Sequence, residues 1–104
     1  MKLSYSEITT MINLLKREER ESAESCEKDA KAVAEAKRRF QEWVQNYRKR
    51  VAKNGVDDET AEKTIDQAFE EMVTPYEENE RVARAYHSDI EHIMYKFTGS
   101  TFEI

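Results

Sequence analysis

Turn residues are almost missing from this sequence. It has 2 Gly and 1 Pro in 104 residues, where average usage would give roughly twelve. That shortage excludes sheet-rich folds, glycine-rich phosphate loops and linker-like chains, all of which need residues that turn the backbone. The single cysteine, Cys26, excludes an internal disulfide. Apolar residues are scarce too, at 38% with a mean hydropathy of −0.92, below the ~45–50% of an ordinary globular domain. The core must therefore be thin, and no stretch is apolar enough to span a membrane. No apolar run of the signal-peptide kind stands near the N-terminus, so the expected setting is a reducing cytoplasm.

What is abundant is helix-forming. Ala, Glu, Lys, Leu and Arg supply 47 of the 104 residues, close to the roughly half found in coiled coils and long helices. A chain of this length has room for one core, so residues 1–104 read as a single all-α domain. The net charge of −5 does not favour nucleic acid as a partner, but its distribution is uneven. Residues 37–53 carry a net +6 and residues 57–80 a net −9.

Helix boundaries are marked by residue type. Ser4 and Glu7 have the spacing of a capping box, with Leu3 and Ile8 placed for the accompanying hydrophobic staple. From there to Lys53 no Gly or Pro intervenes, which predicts helix 1 over about 5–53. Asn54-Gly55 then stops it in a turn over 54–57. Helix 2 is expected over about 58–73, and Thr74-Pro75-Tyr76-Glu77 is a second helix start. The second helix therefore kinks or breaks at Pro75, with a third helix or kinked continuation over about 75–97 and a tail over 98–104.

Apolar spacing predicts how these helices pair. In helix 1, Ile8, Ile12, Leu15, Ala23, Cys26, Ala30, Val33, Phe40, Val44, Tyr47 and Val51 follow steps of mostly three and four, with Lys37 as a polar occupant. Beyond the turn, Ala61, Ile65, Ala68, Met72, Asn79, Val82, Tyr86, Ile90, Ile93 and Phe97 repeat the pattern. Both are coiled-coil seams rather than broad globular faces. Folding the chain at Asn54–Val56 sets the basic stretch beside the acidic one and matches large apolar residues, so the expected fold is a long antiparallel helical hairpin. Trp43 is expected to be largely buried. Met11, Leu14, Trp43, Val73, Tyr76 and Tyr95 fall off the seam, which predicts assembly into a multi-helix bundle, most simply as a dimer.

Sites of chemistry are hard to find. Lys37–Lys53 interleaves Phe40, Trp43 and Tyr47 with basic residues, a pattern used by nucleic-acid binders. Here the aromatics fall on or beside the seam, so the core has the stronger claim on them. His87 and Glu91 are one helical turn apart, and the fold-back brings Glu19, Ala23 and Cys26 to their level. Arg84, His87 and Glu91 are accordingly the candidate residues of a small-ligand or metal site. Neither histidine has a glutamate three residues before it, so the di-iron motif is absent and no metal set is assigned. Glu18-x-x-Glu21 and Glu24-x-x-Glu27 are similar to the magnesium-holding helices of all-α nucleotide pyrophosphatases, but the partnering Glu-x-x-Asp occurs nowhere. In length and hairpin shape the chain is similar to the WXG100-type hairpins. The turn reads Lys53-Asn54-Gly55-Val56 in place of Trp-x-Gly, however, and Tyr76-x-x-x-Glu80 lies mid-helix, so that family is not assigned.

The leading expectation is thus a non-enzymatic helical module that self-associates and binds another protein. It is of the kind found among bacterial or phage accessory, scaffold and inhibitor proteins. No catalytic residues, cofactor or membrane partner are assigned. The expected contact surface is the end where Tyr5, Met11, Leu14, Ile93, Met94, Phe97, Phe102 and Ile104 gather.

Overall fold

The computed structural model describes residues 3–98. Three helices account for 90 of these 96 residues: α1 (Tyr5–Asn54), α2 (Asp58–Met72) and α3 (Thr74–Thr98). There is no strand among them. The capping box is formed as its residues require. Glu7 N–H donates to Ser4 Oγ at 3.1 Å and Ser4 N–H donates to Glu7 Oε1 at 3.2 Å. These bonds hold the Glu7 carboxyl below its ordinary value.

Gly55 ends α1 at φ +69°, a left-handed conformation that costs other residues steric strain, and its N–H donates to Val51 O at 3.1 Å. Asp57 takes the N-cap of α2 with extended backbone and forms no cap hydrogen bond of standard geometry. The nearby Thr60 hydroxyl and amide still hold its carboxyl below the ordinary range. Between α2 and α3 stands one residue, Val73, which is fully buried. Its N–H closes α2 on Phe69 O at 2.9 Å, and its carbonyl opens α3 by accepting from Tyr76 N–H at 3.0 Å and Glu77 N–H at 3.1 Å. Pro75 stands in the first turn of α3, where its missing N–H leaves no ladder bond unmade.

The chain forms two compact units. One contains α1 through Glu27 together with α3 from Arg81 onward; the other is Lys28–Glu80. In the second unit, Arg48 meets Glu62, Phe40 meets Phe69 and Lys37 meets Glu77. Those pairings run in opposite sequence directions, so the segments are antiparallel. In the first unit Ser22 meets His87 and Glu19 lies near Glu91, again antiparallel.

The buried register differs in part from the one read from apolar spacing. In the first unit α1 turns Ile8, Ile12, Leu15, Glu19, Ser22 and Cys26 inward, all buried or half-buried. In the second, Asp29, Val33, Ala36, Phe40, Trp43 and Tyr47 continue the same alternation. Ala23 and Lys37, expected on the seam, are exposed. Along α3 within the first unit, the inward residues are Ala83, His87, Ile90 and Met94. Val82, Tyr86 and Ile93 are exposed instead. The reason is that an unbroken heptad passes through polar residues, whereas apolar spacing alone steps around them onto the adjacent stripe.

Candidate functional site

Two features of the first unit stand apart from simple helix packing. The first is a polar cluster between α1 and α3. Ser22 is 5% exposed, the only buried polar residue among those described. Its hydroxyl donates to the Glu19 carbonyl at 2.9 Å and lies 2.6 Å from His87 Nδ1. His87 Nε2 faces Glu91 Oε1 at 2.5 Å. Atoms of Glu19, His87 and Glu91 able to bind a metal all lie within 4.8 Å of one another.

Helical spacing explains the arrangement. His87 and Glu91 are four apart and share a face of α3, while Glu19 and Ser22 are three apart on the facing side of α1. Of the residues considered from sequence for this site, the structure brings together Glu19, His87 and Glu91. Arg84 is exposed one turn earlier, Ala23 is exposed and Cys26 is half-buried. Ser22, which orients the imidazole, was not a candidate, because a lone serine among charged residues carries no chemical signal.

The second feature is an apolar flank. Leu14 is 50% exposed, Val82 60%, Tyr86 47% and Ile93 39%, with Met11 half-buried beside them. Relative to the inward residues, Met11 and Leu14 on α1, and Val82, Tyr86 and Ile93 on α3, all fall on one side of the helix pair. The Tyr86 hydroxyl donates to Glu18 Oε1 at 2.5 Å, and this bond joins the two helices along that side. The opposite flank presents Thr9, Lys16 and Ala23 from α1, with Arg84 and Glu91 from α3. In this unit the exposed aliphatic side chains therefore share one flank, while Tyr5 at 66% and Tyr95 at 73%, one turn from Thr9 and Glu91, share the opposite one.

Tyr5 is also exposed, and Met94 is half-buried in an inward position. Phe97 belongs to α3, and Phe102 and Ile104 lie outside the described residues.

In the second unit the basic stretch is internally engaged. The Trp43 ring stacks on Tyr47 at 4.9 Å and on Phe40 at 6.4 Å, and Phe40 meets Phe69 edge-on at 5.2 Å. Trp43 is half-buried, and its ring contacts to Phe40 and Tyr47 lie within α1 itself. Arg38 binds Glu35 and Glu42 at 2.6 Å each, Arg39 binds Glu35, and Lys37 and Arg48 reach Glu77 and Glu62. An open cleft of about 400 Å³, lined by residues including Ala36, Met72 and Tyr76, lies in the same unit. Among the described residues no helix is long and apolar enough to cross a membrane.

No protein-family model, curated protein or solved structure matches the chain.

Proposed function

We propose that the protein is a non-enzymatic helical assembly module that pairs with a second copy of itself through the apolar flank of its first unit. The observation that carries this reading is that Leu14, Val82, Tyr86 and Ile93 are exposed along one flank, the one that holds the unit's exposed aliphatic side chains. Scattered surface apolar residues need no explanation, but a row spaced along one flank of a helix pair does. Val82, Tyr86 and Ile93 keep coiled-coil spacing along α3, the pattern by which one helix packs against another. Covering the remaining exposed half of each residue contributes about 1 kcal/mol, half of the ~1.5–3 kcal/mol for complete burial.

A flank of this kind in a chain with so thin a core favours a four-helix arrangement, in which each copy covers the other's wet apolar row. Sedimentation of the intact chain at tens of micromolar tests the reading. A dimer that becomes monomeric in the Val82→Lys, Ile93→Lys double variant supports it; a wild-type monomer overturns it.

A further inference from the structure

We propose that Glu19, His87 and Glu91 form a binding site for a divalent first-row transition metal of the zinc type, oriented by Ser22. The argument begins with hydrogen-bond accounting and does not depend on self-association. A serine hydroxyl has one proton. That of Ser22 goes to the Glu19 carbonyl oxygen, 2.9 Å away. In the tautomer where the hydroxyl accepts from His87, the proton between them belongs to Nδ1, 2.6 Å from Oγ.

With Nδ1 protonated, a neutral imidazole presents the lone pair of Nε2 to its other neighbour. That neighbour is Glu91 Oε1 at 2.5 Å, itself an acceptor. At 2.5 Å this contact is a hydrogen bond carried by a proton, which a metal ion would displace as Glu91 draws back. Charge favours the metal, because Glu19 brings a second carboxylate to the same place. A doubly protonated His87 with both carboxylates leaves a net −1, whereas a divalent ion with neutral His87 leaves the set neutral.

Chemistry and geometry agree with this assignment. Ligand atoms around a tetrahedral ion at about 2.0–2.1 Å sit roughly 3.3 Å apart, within reach of atoms already inside a 4.8 Å limit. The Glu91 side chain is exposed and free to withdraw from its present distance to admit an ion. Metal-binding histidines characteristically donate their other ring N–H to a fixed acceptor, the part that buried Ser22 plays here. Imidazole selects zinc-like ions over magnesium and calcium, which prefer oxygen alone. Three protein ligands leave the fourth position to water or to a side chain from another molecule.

Calorimetric titration of the intact metal-free chain with ZnCl2, with MgCl2 as control, tests the proposal. One zinc per chain is expected, with no measurable magnesium binding. Glu19→Gln and Glu91→Gln should each weaken zinc at least tenfold, and Ser22→Ala about 10–100-fold, the usual effect of removing an orienting partner. His92→Gln, altering the exposed histidine outside the cluster, should bind as the wild type does. Circular dichroism confirms that each variant keeps its helices, and a long-range proton–nitrogen spectrum should move His87 Nε2 on zinc addition. Absence of zinc binding at tens of micromolar overturns the site, as does binding that Glu19→Gln and Glu91→Gln leave unchanged.

Discussion

Tyr86 on α3 donates its phenolic hydrogen to the Glu18 carboxylate on α1, 2.5 Å away and 68 residues earlier in the chain. This bond fixes which flank of the helix pair carries Tyr86. The carboxylate also holds the Tyr86 phenol above its ordinary value of 10.0, because ionisation would forfeit the hydrogen bond to Glu18 and set two negative groups together. The unfolded chain therefore loses this proton at lower pH than the folded one. Stability from the pair is fully present below about pH 10 and declines as pH rises toward the folded value. Melting temperatures of the wild type and Tyr86→Phe between pH 9 and 11.5 should show a shallower alkaline decline in the variant. Parallel declines would show that the bond does not form in solution.

Glu35 gives the corresponding prediction at acid pH. Its two oxygens are held by the Arg38 guanidinium at 2.6 and 3.0 Å, with Arg39 at 3.3 Å. The hydrogen bonds from Arg38 are the largest influence holding its carboxyl at about 2. A lowered folded value means that the contribution is present above the unfolded value of about 4.5 and lost as pH falls toward 2. Glu35→Gln should therefore lower stability slightly at neutral pH and flatten its loss between pH 4.5 and 2, where the variant and the wild type converge. The pair is exposed, so the change should be small, and an acid limb identical to wild type would remove Glu35 from the account.

Trp43 separates core from surface in the second unit. Its ring is half-buried and stacked on Tyr47. Trp43→Ala should cost about 1.5–3 kcal/mol, below the ~3–5 kcal/mol of a fully buried aromatic. Arg48→Glu, which breaks an exposed pair with Glu62, should cost under ~1 kcal/mol. Circular dichroism melts compare the two directly. Equal melting temperatures for Trp43→Ala and wild type would free the aromatic row for a ligand and favour nucleic-acid binding through Lys37–Lys53.

Much of the fold was legible in the sequence, and the parts that were not have a common cause. Ser4, Glu7, Gly55 and Pro75 each act through the local backbone, so residue type alone locates the helix starts and stops. The antiparallel pairing followed from the opposite charges of the two stretches and from large apolar residues on both sides of the turn. The inward face of α3 was misread because Val82, Tyr86 and Ile93 are more apolar than Ala83, His87 and Met94, the residues that turn inward. Spacing by hydrophobicity chose the stronger stripe, but steric fit against α1 uses the adjacent one. The same shift explains the candidate sites. His87 and Glu91 were visible as a local pair and the fold-back brought Glu19 opposite them, whereas the choice of Ser22 depends on a register that apolar spacing places one stripe away.

The measurement that tests the account most directly is the sedimentation equilibrium of the intact chain beside its Val82→Lys, Ile93→Lys variant, across a concentration series reaching tens of micromolar. Lysines at these exposed positions should leave the helical circular dichroism of the monomer intact. The account predicts a wild-type dimer that dissociates on dilution and a double variant that is monomeric throughout. A wild-type chain that remains monomeric over the whole series, or a double variant that dimerises as the wild type does, would contradict it.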